Sequence, residues 1–305
     1  MKSYVNVPLR GFQRLRELTA LYAFRRATLV DEAEQLVKGV QEHSARIETL
    51  LGEPLKGKRI LEVGPGQLLK RSRIFGVDNQ VVGIDLDELP GGGLSGFIGV
   101  WKANGPLRAL KTLARRALGM DRHFLRSLYA ILPAARDASV EFLRCDAART
   151  GFVDADFDVT VSNSVLEHIP DPEALVQEMI RVTRPGGVFS HIVHLYTSDT
   201  GAHDPRSYLA DRQSDGKGLP YWCHLRPALQ HISAPNCYLN CWRLSEWVSL
   251  VERLMPGASV ENIPQHPNPV IARELASLRA AGELADYSDA ELITDCLIIS
   301  WRKPE

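Results

Sequence analysis

Apolar residues along this chain fall into distinct patterns, and each predicts a different element. From residue 12 to 51 they return every three or four positions, at Leu15, Leu18, Leu21 and Tyr22 and then at Ala33, Leu36, Val37 and Val40, the period of one helix face. Gly52 and Pro54 end that run. Short, nearly continuous apolar stretches follow: RILEVG (59–64), VVGID (81–85), SVEFLRC (139–145), FDVTVSN (157–163), GVFSHIVH (187–194), ASVENI (258–263) and DCLIIS (295–300). Runs of this length, separated by helical stretches, predict seven strands in a mostly parallel sheet covered by helices on both faces, a Rossmann-like α/β fold. The best-defined helix follows residue 171. Asp171 suits its N-cap, Pro172 its first turn, Leu175, Val176, Met179 and Ile180 its buried face, and Pro185-Gly186-Gly187 its stop.

This patterning divides the chain into an N-terminal helical extension (1–57) and an α/β domain (58–305) with two insertions. The first, 89–138, opens on Gly91-Gly92-Gly93, a hinge for a lid. The second, 195–243, is rich in Tyr, Trp and His. Loops of that length are usually functional.

Composition adds exclusions. With 36 Lys plus Arg against 37 Asp plus Glu and 45% apolar residues, the chain is an ordinary globular one, neither collagen, coiled coil nor disordered. Five scattered Cys without a CxxC pair suggest neither a disulfide framework nor a zinc ribbon, which makes a reducing, cytoplasmic setting the expectation. The first residues lack the apolar stretch of a signal peptide, and no run of about 18 uncharged apolar residues occurs. The neutral total conceals two basic segments. Residues 1–30 carry six cations against Glu17, and residues 101–127 carry Lys102, Arg108, Lys111, Arg115, Arg116, Arg122 and Arg126 against Asp121. In the second, Leu107, Leu110, Ala114, Ala117 and Leu118 share one side, so it reads as a lid or as a peripheral contact with an anionic membrane.

The chemistry begins at LEVGPG. Gly64 and Gly66 stand at a strand-to-helix turn, where absent side chains let a ligand approach the backbone and the helix N-terminus. Asp85 ends the next strand 21 residues after Gly64, where a carboxylate can accept both hydroxyls of a ribose. A dinucleotide fingerprint needs glycine at position 69, where Leu69 stands, so a nucleotide without pyrophosphate fits better.

From the Gly loop to residue 304 the sequence resembles the class I S-adenosylmethionine-dependent methyltransferases, specifically those acting on small molecules. The resemblance implies that Glu62, Gly64, Pro65 and Gly66 cradle the methionine part of the cofactor, that Asp85 and Leu86 hold the ribose side, and that Asp146 and the Ala147 N–H read the adenine, with Ser162 also on the cofactor. FDVTVSNSVLEHIPDPEALVQEMIRVTRPGG (157–187) resembles the family's fourth strand, the following helix and the turn into the fifth strand. DCLIISWRKP resembles its last, antiparallel strand. The insertions follow no general family pattern.

Methyl transfer is an in-line displacement, so the protein must align the acceptor, exclude water and, for a hydroxyl acceptor, remove a proton. Candidate bases are His194 and His168, with Glu167 as orienting carboxylate, and His203 with Asp204 in the following loop. The set His191, His194, His203, Asp204 and His224 lacks a two-His helix spacing, and no metal is expected. The strand-four motif reads SNSV, without the N-P-P-Y pattern, the Pro-Cys nucleophile or the paired-glutamate loop of methyltransferases acting on nucleic acid or protein side chains. Nucleic acid is therefore disfavoured. The expected acceptor is an oxygen of a small molecule, such as a glycan or natural-product intermediate. Tyr196, Tyr208, Tyr221, Trp222, Tyr238 and Trp242 are candidates to line its pocket. Two other readings are a non-catalytic scaffold on the same fold and a nicotinamide-dependent oxidoreductase.

Overall fold

The computed structural model describes residues 12–91, 93–208, 219–235, 237–264 and 269–305, with the side chains of the first helix described from Asp31 onward. Seven strands form one sheet: β1 (Arg59–Val63), β2 (Gln80–Asp85), β3 (Val140–Arg144), β4 (Phe157–Asn163), β5 (Thr183–His194), β6 (Ser259–Pro264) and β7 (Thr294–Arg302), in the order β3-β2-β1-β4-β5-β7-β6. β1 runs parallel to β2 and β4, and β2 parallel to β3, while β6 and β7 are antiparallel. This is the expected Rossmann-like sheet with its reversed last strand. Helices α1 (Phe12–Leu51), α2 (Lys70–Phe75), α3 (Gly93–Asn104), α4 (Pro106–Ala117), α5 (Met120–Ile131), α6 (Pro172–Val182), α7 (Leu244–Leu254), α8 (Pro269–Ala280) and α9 (Asp289–Ile293) complete the described secondary structure, with short 3-10 turns between them.

The described residues fall into two compact units, 12–162 with 178–189 and 302–305, and 163–177 with 190–301. In the first, Val37, Val40, Ile47 and Leu51 of α1 share one core with Ile60 of β1, Val81 of β2, Val159 of β4 and Phe124 and Leu128 of α5. Predominantly buried residues in β1, β2 and β4 follow from sheet strands covered on both faces. The insertion after β2 carries three helices between 93 and 131, and the apolar side of α4 faces outward. Leu110 and Leu118 are 59% and 50% exposed, and Ala109 and Thr112 are the buried positions of α4. Arginines account for this orientation: Arg108 pairs with Asp87 at 3.1 Å, Arg115 with Asp121, and Arg116 donates to the carbonyls of Pro90 and Gly91. The side chain of Leu107 lies outside the described residues.

α6 begins as expected, with Asp171 Oδ1 accepting from the Ala174 N–H at 3.0 Å. It ends earlier than expected, however, because Val182 passes directly into β5 and Pro185-Gly186-Gly187 belongs to the strand. Lys303 Nζ donates to the carbonyls of Ile180 and Thr183 at 2.7 and 2.8 Å, satisfying the groups that a C-terminal turn would otherwise leave open. Gly187 lies so close to the Asp158 carbonyl that a Cβ would stand 2.6 Å from it.

In the second unit, Trp222, Leu225, Leu275, Leu278, Leu284 and Leu292 form a separate core, with Tyr196 and Tyr221 packed against it. Trp222 is thus core filling and not a pocket wall. Trp242 is packed against Trp247, with ring centroids 4.8 Å apart. The side chain of Tyr208 lies outside the described residues.

Candidate functional site

In the first unit the register of three parallel strands collects the expected nucleotide-binding residues at one sheet edge. Val63 pairs with Ile84 and with Ser162, so Gly64, Asp85 and Ser162 follow at the carboxyl ends of β1, β2 and β4. Gly64 and Gly66 both adopt φ of +68°, a conformation that glycine takes at no steric cost. A Cβ on Gly83, inside β2, would stand 2.9 Å from Pro65 Cγ, so this glycine allows the loop to lie close over the sheet. Leu69 takes a left-handed φ of 52° at the N-cap of α2, which puts a side chain where a dinucleotide loop carries none.

Glu62 is 1% exposed, and its carboxylate accepts from the Ser72 hydroxyl with the Arg71 guanidinium at 3.8 Å. Burial pushes its pKa up, against the pull of Arg71 and Ser72. Its contacts with Ser72 and Arg71 of α2 make it a brace beneath the Gly loop. Asp85 Oδ1 accepts from the Asp87 N–H at 3.0 Å. Burial raises the Asp85 pKa, and the Asp87 N–H and the more distant Arg108 oppose the rise. Leu86 is an exposed apolar side chain beside it. Asp146 is exposed, with Oδ1 accepting from the Ala148 N–H at 2.9 Å, next to buried Ala147.

α4 is tied to the Gly loop. Gln67 Oε1 accepts from Arg115 at 2.6 Å and from the Thr112 hydroxyl at 3.2 Å. A cavity of about 140 Å³ lies beside these residues, lined among others by Pro65, Gly66, Gln67, Lys70, Arg115 and Phe124. Sequence reasoning assigned Gln67 and Arg108 no place at the site, because their partners lie more than 20 residues away.

In the second unit three segments bring together Glu167, His168, His194 and His203. A 3-10 turn, Leu166–His168, carries the first two. Asn240 holds this turn: its N–H donates to the Glu167 carbonyl at 2.9 Å, and its Nδ2 donates to the carbonyls of Leu166 and Ile169. His168 Nδ1 contacts the Tyr238 carbonyl at 2.8 Å and therefore carries the proton, leaving Nε2 as the acceptor. That ring is half-buried, and burial lowers its pKa. His194 differs. Its Nδ1 lies 2.8 Å from His203 Nε2, while Nε2 faces Thr200 Oγ1 at 2.9 Å, Ser198 Oγ at 3.3 Å and Asp295 Oδ1 at 3.3 Å, so both ring nitrogens are engaged. His203 sits at a left-handed φ of 52°, and burial with the neighbouring His194 and His168 pulls its pKa down to about 3.

The Glu167 carboxylate is 2% exposed, and burial pushes its pKa up to about 8 against the pull of the backbone N–H groups of Glu167 and His194. Asp204, expected to act with His203, is taken instead by Arg206 at 2.6 Å and by the Ala234 N–H at 2.8 Å. His224 Nε2 bonds the Tyr196 carbonyl at 2.9 Å, and His191 is fully buried in β5.

Comparison with known proteins finds likenesses to part of this chain. Residues 104–191 match the family model described as a methyltransferase domain. An uncharacterized methyltransferase of Mycobacterium sp. (strain JLS) is 39% identical over 72 residues, 24% of this chain and 28% of the relative. One of Mycobacterium leprae (strain TN) is 33% identical over 79 residues, 26% of this chain and 29% of the relative. The match thus spans less than a third of the length of either relative. Among solved structures, a phosphoethanolamine N-methyltransferase 2 of Haemonchus contortus with bound S-adenosyl-L-methionine is 17% identical, covers 87% of this chain and 53% of that one, and has a TM-score of 0.47. An S-adenosylmethionine-dependent methyltransferase of Mesorhizobium loti is 16% identical, covers 82% of this chain and 92% of that one, and has a TM-score of 0.42. Residues 104–191 are thus similar to a methyltransferase domain, and they lie in a seven-stranded α/β sheet whose last two strands run antiparallel.

Proposed function

We propose that the protein transfers the methyl group of S-adenosylmethionine to an oxygen of a small-molecule acceptor, as in glycan or natural-product tailoring. The observation that carries this reading is the sheet edge of Gly64, Gly66, Asp85 and Ser162, closely packed at Gly83 as a cofactor lying on backbone requires. Gly64, Pro65 and Gly66 would hold the methionine portion over the brace that Glu62 provides, Asp85 the ribose hydroxyls, and Leu86, Asp146 and Ala147 the adenine. The bound cofactor supplies an electrophilic methyl on a sulfonium. What remains for the chain is to orient the acceptor and take its proton.

For the proton, the geometry favours His168, with its acceptor nitrogen unoccupied by any described bond, over His194, whose nitrogens are both engaged. The Tyr238 carbonyl on Nδ1 orients this ring, while Glu167, expected to orient it, lies 3.9 Å from Nε2, the nitrogen that takes the proton. We also assign the outward Leu110, Leu113 and Leu118, with the exposed Lys102, Arg122 and Arg126, to a peripheral contact with anionic lipid. Sedimentation with anionic vesicles should be lost in L110D/L118D, and unchanged sedimentation rejects that contact.

The central test is calorimetry with S-adenosylmethionine. Asp85→Ala should weaken binding about tenfold to a hundredfold, the size of lost charge-assisted hydrogen bonds. Full affinity in a folded variant would reject the ribose assignment. His168→Ala should lower turnover about a hundredfold or more while keeping cofactor affinity and melting temperature. Detection of a methylated product from a metabolite extract would identify the acceptor.

A further inference from the structure

The Glu167 carboxylate is buried, and neither oxygen completes a hydrogen bond of full geometry, although the backbone N–H groups of Glu167 and His194 act on it. Leaving such a group unsatisfied is costly, and its presence calls for a partner. Its neighbours are nitrogen donors. His203 Nε2 and His168 Nε2 each lie 3.9 Å from Glu167 Oε1, and His203 Nε2 is 2.8 Å from His194 Nδ1. Ligand atoms of Glu167, His194 and His203 all fall within 4.8 Å of one another. Donors bound to a tetrahedral ion at about 2.0–2.1 Å stand roughly 3.3 Å apart, so the measured separations of 2.8 and 3.9 Å bracket the required spacing. Small shifts of each side chain convert one into the other.

We propose that Glu167, His194 and His203 bind one divalent transition-metal ion of the zinc class. In this assignment Glu167 gives an oxygen, His194 its Nδ1 and His203 its Nε2. His194 Nε2–H is already directed at Thr200 and Asp295, and Thr200 itself donates to Asp295 Oδ1 at 3.1 Å. That outer contact fixes the tautomer whose lone pair lies on Nδ1, the role carboxylates and hydroxyls play behind metal-ligating imidazoles. The ion takes the place of the proton lying between the two imidazoles, which moves to Nδ1 of His203. Two imidazoles and one carboxylate suit zinc, iron(II) or cobalt(II) and not magnesium or calcium. Three protein ligands leave a coordination position for water or another oxygen ligand. His168 and Cys237 flank His203 on a second set of donor atoms within the same spacing, which extends the coordinating surroundings.

The segment is built to hold this geometry. Gly201 packs so tightly on the carbonyls of Leu195 and Tyr196 that no Cβ fits, and His203 holds a left-handed backbone. Three different segments carry the ligands, which is why no metal spacing is visible in the sequence.

The test uses the full chain, freed of metal with a chelator and titrated with Zn²⁺ by calorimetry and with Co²⁺ by absorption. About one equivalent should bind, with cobalt bands of a low-coordinate site and no competition from excess Mg²⁺. His203→Asn and Glu167→Gln should each weaken Zn²⁺ binding about a hundredfold or more, and Asp295→Asn, behind His194, about tenfold to a hundredfold. Circular dichroism identifies the variants that fold, and Asp295→Asn serves where a ligand variant does not. Absence of stoichiometric binding to the wild-type chain, Mg²⁺ competition, or wild-type affinity in every folded variant would overturn the proposal.

Discussion

Gly83 and Glu178 show how much single residues decide. Nothing in the sequence marks Gly83 as more than a small residue in VVGID, yet its missing side chain sets how closely Pro65 approaches the sheet. Gly83→Ala would force Pro65 and the loop outward, a strain of about 1–3 kcal/mol that should weaken S-adenosylmethionine binding about tenfold or more. Cofactor titration of the folded variant checks this, and unchanged affinity would mean the loop position is not coupled to the ligand. Glu178 accepts from Arg181 and from the Thr150 N–H and hydroxyl, contacts that hold its pKa down to about 2, from an ordinary 4.5. A carboxyl with a depressed folded pKa stabilises fully above its unfolded value, and that stability is lost as pH falls. The wild-type chain should therefore lose its advantage over Glu178→Gln between about pH 4.5 and 2, where their urea midpoints should converge. Parallel curves across that window would show that Arg181 and Thr150 do not support this carboxylate.

At the scale of elements, the strands were legible because a strand covered on both faces needs an uninterrupted apolar run, and FDVTVSN occupies β4 over the expected residues. α4 was legible in period but not in orientation. Which side of an amphipathic helix faces inward depends on what it meets, and here Asp87, Gln67 and two carbonyls attract the arginines. The basic segment is therefore a brace on the Gly loop. Arg115→Ala should lower cofactor affinity severalfold through the loss of the Gln67 contact, an effect of about 0.5–1.5 kcal/mol, while leaving α4 helical. Calorimetry alongside circular dichroism tests it. Full affinity would mean that the Gln67 contact does not support the loop. The N-cap of α6 was readable because Asp171 acts within three residues of itself, whereas its end was not, because Lys303 supplies it from 123 residues away.

At the scale of the whole molecule, the same distinction separates what sequence conveys from what it withholds. Gly64, Gly66 and Asp85 lie on consecutive strands, and chain order alone predicts that they share an edge. Glu167, His194 and His203 were each noticed as candidates, but their mutual distances follow from a loop closure that no local pattern encodes. Asn240, which holds the Glu167 turn through three hydrogen bonds, left no signal because an isolated asparagine in a loop resembles any turn residue.

The contact of Lys303 with the end of α6 also has a temporal side. Synthesis runs from the N-terminus, so the carbonyls of Ile180 and Thr183 wait for a partner while more than a hundred further residues are made. Until Lys303 has emerged, α6 lacks this partner at its C-terminal end. Lys303→Ala should consequently slow the last phase of refolding and lower stability by about 1–3 kcal/mol, measurable by stopped-flow fluorescence and urea titration. A nascent chain stalled before that residue should expose the junction of α6 and β5 to protease, and one extended past Glu305 by a linker that carries Lys303 clear of the ribosome should protect that junction.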